Sequence, residues 1–341
     1  MTKASSPSRV RGRIIRWMRF PLIAYAAIVL MFTFLQRSLI YHPDSPASLP
    51  ARAVMAPGSS VSDVSVVAED GLKLNGWYFS PSTAPERKPT EVAAASADRW
   101  LVLYFSGNAG HRGYRVDEAM MFNELGCDLL LVDYRGYGDN AGSPNEAALA
   151  EDALTVWNYA RQHYGFAAKR ILLCGESLGG GVAVRLAAEL CQRGETPGGL
   201  VLRATFPSLV EVAGWHYPWL PVKWAMVERY PSLERIPHVH CPILHFHGDR
   251  DSIVPYALGR KLIDAAPAAA SNGVPKQFVT IAGADHNDIL DRSRDQVMNS
   301  LRDWLLQLGQ PDEKKLPADP PYRSEAKLRK AGEIGGLAKR L

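Results

Sequence analysis

Cysteine is scarce in this chain: Cys127, Cys174, Cys191 and Cys241 are scattered with no paired spacing. That excludes a disulfide framework and leaves free thiols in apolar surroundings as the default, since Cys174 lies in an apolar run and Cys127 adjoins one. Acidic residues are missing from the first twenty positions, which hold Lys3, Arg9, Arg11, Arg13, Arg16 and Arg19. The net charge of +4 is therefore an N-terminal property, and the remainder is slightly acidic. No basic face runs through the body of the chain, so a nucleic-acid partner is not expected. Internal repeats are absent, which excludes a solenoid. From residue 310 onward large apolar side chains are few among Lys, Glu, Pro and Gly. Such a segment cannot bury a core, and residues 310–341 are expected to extend as a mobile polar tail. Its Ser324–Leu341 part is also open to reading as a short basic helix on a membrane or partner.

What is present begins with a long apolar run. Phe20 to Leu35 carries no charge and is closed by Gln36-Arg37. The run is somewhat shorter than the ~20 residues of a typical spanning helix, but Trp17 and Tyr41 flank it as interfacial residues. A cleaved signal peptide would need small residues at a cleavage site, and the continuation Thr33-Phe-Leu-Gln-Arg-Ser-Leu-Ile-Tyr41 is bulky. An amphipathic surface helix would need a polar face, which this run lacks. The expectation is a single membrane anchor over 20–36. Five arginines precede it and only Arg37 follows closely. The positive-inside rule then places residues 1–19 in the cytoplasm and the body of the protein on the extracytoplasmic side.

Residues 37–60, rich in Pro, Ala and Ser, read as a connector. Val61–Val67 and Leu72–Phe79 alternate apolar and polar residues around Glu69-Asp-Gly71, the pattern of a β-hairpin. Ser80–Asp98 reads as a loop. Apolar strands then alternate with helical segments: Trp100–Phe105, Asp128–Asp133, Ile171–Cys174, Leu200–Ala204, Ile243–Phe246 and Phe278–Ile281 are strands. Helices are expected near Arg115–Leu125, Pro144–Tyr164, Val182–Leu190 and Arg294–Leu308. That rhythm predicts an α/β domain over 61–309, with a mostly parallel central sheet covered by helices on both faces and an antiparallel hairpin at its edge. Residues 205–240 break the rhythm with five prolines and with Trp215, Tyr217, Trp219 and Trp224. They read as a small helical cap over the carboxyl end of the sheet, against the plainer alternative of a connecting helix pair.

The organising stretch is Gly175-Glu-Ser-Leu-Gly179, between the strand Ile171–Cys174 and a helix. G-x-S-x-G in that context forms a tight turn that pushes its serine out at the carboxyl end of a sheet. A serine hydroxyl becomes a useful nucleophile only when an imidazole can take its proton and an acid holds that imidazole in the right tautomer. Two later strand ends carry such groups in that order. Ile243-Leu-His-Phe-His-Gly-Asp-Arg-Asp-Ser252 supplies Asp249 and Asp251, and Gly283-Ala-Asp-His-Asn-Asp288 supplies His286. Asp251 is chosen over Asp249, which directly follows a glycine and is better placed to bond its own turn. The predicted set is Ser177, Asp251 and His286. Backbone N–H groups of Leu178 and Asn108, the latter in the loop Ser106-Gly-Asn-Ala-Gly110, are expected to form an oxyanion hole. His238, His240, Cys241, His245 and His247 lie close in sequence, but their spacing matches no metal-ligand pattern and His245 and His247 fall on a buried strand. No metal or organic cofactor is expected.

These segments, with Gln36-Arg-Ser-Leu-Ile-Tyr-His-Pro43, Asp133-Tyr-Arg-Gly-Tyr-Gly138 and His247-Gly-Asp-Arg-Asp-Ser-Ile-Val-Pro255, resemble the α/β-hydrolase superfamily over residues 35–308. The likeness is to membrane-anchored abhydrolase-domain proteins related to serine aminopeptidase-like hydrolases. It implies an α/β-hydrolase fold, a Ser-Asp-His hydrolase working through an acyl-enzyme, and a role for Asp133–Gly138 in shaping the site. The chain departs from the family at Ser106, where histidine is usual. The expected substrate is a small acyl ester or thioester, a class that includes lipid-derived compounds. Amide or peptide hydrolysis and a non-catalytic envelope scaffold are the alternatives. Oligomeric state is not readable.

Overall fold

The computed structural model describes residues 7–54, 60–81 and 99–309. Most of the loop expected over Ser80–Asp98, and the whole tail 310–341, lie outside the described residues. A helix α1 (Pro7–Ile40) leads into β1 (His42–Pro43), α2 (Ala51–Val54), and the hairpin strands β2 (Val61–Val67) and β3 (Lys73–Phe79). Then follow β4 (Leu101–Phe105), β5 (Ala109–Gly110), α3 (Val116–Glu124), β6 (Asp128–Val132), α4 (Glu146–His163), β7 (Ile171–Glu176), α5 (Leu178–Gln192) and β8 (Gly199–Arg203). Three short helices, α6 (Leu209–His216), α7 (Val222–Ala225) and α8 (Ser232–Arg235), precede β9 (Ile243–Gly248), α9 (Tyr256–Ala265), β10 (Gln277–Ile281) and α10 (Ile289–Gln307).

The main sheet has eight strands in the order β10-β9-β8-β7-β4-β6-β3-β2. From β10 to β6 every pair is parallel, and β3 and β2 add antiparallel to one edge. The central strands carry apolar runs, with polar groups mainly at their ends and at His245 and His247 of β9, because both faces are covered. Their side chains alternate between two cores: Leu101, Leu103, Leu173 and Leu202 pack with Trp157 of α4 and Val184 of α5, whereas Val102, Tyr104, Leu172 and Val201 pack with Phe122 of α3 and Trp304 of α10. Each βα connection therefore opens at the same, carboxyl end of the sheet, where a ligand site is favoured in such folds.

Two departures from the expected boundaries matter for function. The apolar helix does not stop at residue 36 but continues to Ile40. Directly beyond it, β1 pairs in parallel with β5, His42 opposite Ala109 and Pro43 opposite Gly110. The stretch read as a mere connector thus begins as structure tied to the loop after β4. Two strands are longer than predicted for one reason: β7 reaches Glu176 and β9 reaches Gly248, because ladder pairing carries past the apolar run.

Candidate active site

Gly175 and Gly179 make the turn after β7 possible. A side chain at Gly179 would run into the Phe105 and Ser106 carbonyls, and one at Gly175 into the backbone of residues 179 and 180. The turn leaves Ser177 at φ 50°, ψ −113°, a conformation that costs a non-glycine residue energy and that surrounding structure must hold. Three bonds hold it: Ser177 N–H donates to the Arg203 carbonyl (2.8 Å), and Gly180 N–H (3.0 Å) and the Thr205 hydroxyl (2.8 Å) donate to the Ser177 carbonyl. The Ser177 side chain is left to project beyond the strand ends.

There it meets His286. The His286 Nε2 lies 3.0 Å from Ser177 Oγ, and its Nδ1 lies 2.8 Å from Asp251 Oδ2. The three groups come from the ends of β7, β9 and β10, which the parallel sheet brings together although His286 stands 109 positions from Ser177. Asp251 is buried, and its other oxygen accepts the N–H groups of Ile253 (2.9 Å) and Val254 (2.7 Å). Burial by itself would raise its pKa. The hydrogen bonds from His247 and His286, the His286 charge and the Val254 N–H outweigh burial and hold the carboxyl at about 2. Asp249 takes a different part: its Oδ1 accepts Gly283 N–H at 2.6 Å, joining the loops after β9 and β10.

The loop Ser106–Gly110 is pressed against the elbow, since Gly179 abuts the carbonyls of Phe105 and Ser106. Asn108 is fixed on three sides. Its carbonyl accepts His42 N–H (2.8 Å) and the Tyr137 hydroxyl (2.8 Å), and its Nδ2 donates to the Ile40 carbonyl (2.8 Å). Its own N–H, and that of Leu178 at the first turn of α5, have no partner among the described residues. The Ser106 Oγ has no partner among the described residues, and the loop is braced through the Ser106 carbonyl by the Tyr134 hydroxyl at 2.9 Å. Tyr134 and Tyr137 both belong to the Asp133–Gly138 stretch. Asp133 itself is buried and pairs with Arg112 (2.6 Å), apart from His286.

Sequence reasoning overlooked several neighbours. His247 lies with its Nε2 3.3 Å from Asp251 Oδ2 and 2.8 Å from the Val254 carbonyl. The carbonyl requires a donor there, so the ring is held with its proton on Nε2, shared with Asp251. Glu176 bonds Arg115 (2.7 Å), Arg203 (2.8 Å) and the Tyr104 hydroxyl (3.0 Å) beneath Ser177. Burial favours its protonated form, but Arg203 and Arg115 overcome it and hold Glu176 at about 2. Asp285 braces the histidine loop, its Oδ1 accepting His286 N–H and Ser252 N–H, each at 2.7 Å. The alternation of β9 marks His247 as inward, and nothing local marks Arg115 or Arg203. His245 and His247 are buried in β9, and no group of three or more potential metal ligands gathers among the described residues. Cys127, Cys174 and Cys241 are buried free thiols, and Cys191 is half-buried.

Residues 96–231 match the family described as serine aminopeptidase, S33. An uncharacterized protein of Mycobacterium tuberculosis is 40% identical over 273 residues, 79% of this chain and 88% of its own length. The chain belongs to the α/β-hydrolase superfamily. The lysophosphatidylserine lipase ABHD12 of Danio rerio is 34% identical over 265 residues, 70% of this chain and 67% of the lipase. Among solved structures, an esterase of Pyrococcus furiosus superposes with a TM-score of 0.59 at 16% identity, covering 79% of this chain and 98% of the esterase. That last likeness concerns the fold.

Proposed function

We propose that this protein is a membrane-tethered serine hydrolase that cleaves carboxylic esters or thioesters of acyl chains through an acyl-enzyme intermediate. One observation carries the reading: Ser177, His286 and Asp251 form a continuous hydrogen-bonded relay from a strained serine to a buried, ionised acid. In this mechanism Ser177 Oγ attacks the substrate carbonyl as its proton passes to His286 Nε2. Asp251 keeps the His286 Nδ1 proton in place and stabilises the imidazolium that forms. The carbonyl oxygen becomes an anion facing the free N–H groups of Asn108 and Leu178. His286 then returns the proton to the leaving alkoxide or thiolate. Water, activated by the same histidine, hydrolyses the acyl-serine.

The ester class rests on the lipase relative and on the aromatic cap. An amide substrate recognised by its free amine would need an unpaired acid near the site. The nearest acids beside His286 are already engaged, Asp285 with backbone N–H groups and Ser252, and Asp288 with Arg292. Tethering rests on Phe20–Ile40, a helix long and apolar enough to cross a membrane, and the arginines before it support a cytoplasmic N-terminus. The test is labelling of the detergent-solubilised full chain with a fluorophosphonate. Wild type is expected to label and to hydrolyse p-nitrophenyl esters, and Ser177→Ala to lose labelling and at least about 10³-fold in turnover. A well-folded wild type that neither labels nor hydrolyses would sink the reading.

A further inference from the structure

The cap and the apolar helix share one surface. Along α1, Val29, Phe32, Thr33 and Gln36 are partly or wholly covered, at the spacing of one helical face, while Phe34 (81%) and Leu30 (55%) stand exposed on other faces. The covering partner is the cap. Phe32 packs against the rings of Tyr217 and Trp219, with centroids 6.4 Å away in each case. Gln36 Oε1 accepts Val227 N–H (2.7 Å) and Glu228 N–H (3.2 Å), and buried Glu228 bonds Arg37 and the Tyr41 hydroxyl, each at 2.8 Å. Furthest from the domain, the Tyr25 hydroxyl donates to the Trp219 carbonyl at 2.7 Å.

That last contact fixes a depth. Between Ile40 and Tyr25 a helix advances about 22 Å. If the cap stayed in water beside the helix, only residues 20–24, about 8 Å of helix, would remain before the arginine-rich segment to enter a hydrocarbon layer of about 30 Å. An α1 that enters the bilayer therefore carries the cap tip in with it. The tip has the chemistry for this. Trp215, Tyr217, Trp219, Trp224 and Val227 are all exposed, Trp224 to 83%. Lys223 is the only charged residue between Val212 and Val227. Trp and Tyr favour the membrane interface, and a lone lysine can reach back to anionic headgroups.

We infer that the cap tip, residues 215–227, is inserted in the same leaflet that α1 enters, so that the face beside the active site opens on lipid. The inference rests on the tethering proposed above and holds for either orientation of the chain. It bears on the substrate's route. His216 Nε2 lies 2.8 Å from the Ile253 carbonyl, and Ile253 is itself exposed, two positions from Asp251. The lipid-facing patch thus reaches the edge of the catalytic loop, the side from which an acyl chain in the leaflet would approach Ser177.

The test uses the full chain in phosphatidylcholine vesicles containing doxyl-labelled phosphatidylcholine. Cys191, half-buried, is replaced by serine, and an NBD fluorophore is attached to Trp224→Cys or, as control, to Arg193→Cys at the far end of α5. The expected result is blue-shifted emission and doxyl quenching at 224, with neither at 193. Aqueous emission at 224 from protein that resists carbonate extraction would overturn the inference and leave the tether standing. Quenching at both positions would mark adsorption of the whole domain and overturn it too. Release of the protein by carbonate would remove the tether and the inference together.

Discussion

In the proposed mechanism, the orientation of one carboxylate decides whether His286 can act as a base. Asp251 Oδ1 is committed to two backbone N–H groups, which leaves Oδ2 to face His286 Nδ1 and His247 Nε2. In Asp251→Asn the same N–H groups would hold the amide oxygen and turn its NH2 toward His286. The imidazole must then accept at Nδ1 and carry its proton on Nε2, where it cannot take one from Ser177. We expect kcat on a soluble ester to fall about 10⁴-fold with the fold intact, measured by steady-state kinetics beside circular dichroism. A variant within tenfold of wild type would remove Asp251 from the relay. Ser177, His286 and Asp251 were legible in the sequence because each sits where a strand runs into a loop, and the strands are marked by apolar runs. His247 was not, because its part depends on which way the Asp251 carboxylate turns, a matter of loop geometry.

At the level of elements, the elbow is held by charge as well as by glycine. Glu176 at the end of β7 joins Tyr104 of β4, Arg203 of β8, and Arg115 ahead of α3, and Arg203 continues to Glu118 in α3 at 3.1 Å. Removing the acid leaves Arg115 without its counter-ion and Arg203 with Glu118 alone, in a mostly buried place. Glu176→Gln is expected to destabilise the domain by roughly 3–5 kcal/mol at neutral pH. The pH dependence follows from the sign of the shift. The folded pKa, about 2, lies below the ordinary carboxylate value, so the stabilisation is fully present above about pH 4.5 and is lost as pH falls toward 2. Urea titrations of wild type and variant should converge across that interval; a gap unchanged from neutral pH to pH 3 would contradict the assignment. The x in G-x-S-x-G showed where Glu176 would be, but its partners come from three other elements and carry no local pattern.

Across the whole molecule, the apolar helix and the hydrolase domain are one structure. The end of α1 bonds the cap through Gln36 and Arg37, and its last residue together with β1 clamps Asn108 through the Ile40 carbonyl and His42 N–H. Deleting residues 2–36 should remove the helix and leave the Asn108 clamp in place. We expect such a protein to retain fluorophosphonate labelling and to lose about 5–10 °C in Tm, the loss of two or three buried hydrogen bonds and the Phe32 ring contacts. An unchanged Tm would show that the helix contributes nothing to the fold.

The amino-acid pattern alone determined the parallel α/β architecture, the nucleophile elbow and the order serine, acid, histidine, because strand periodicity, turn glycines and chain order are local properties. It also determined that one apolar helix precedes the domain. Tertiary structure decided what that helix touches. Whether its partner is lipid on every side or the aromatic cap on one face depends on contacts between residues nearly two hundred positions apart, which no local pattern records. The same holds for the second histidine on Asp251, His247, and the guanidinium pair beneath Ser177: their energies come from distance and burial, and both exist only once the sheet has brought separate strand ends together.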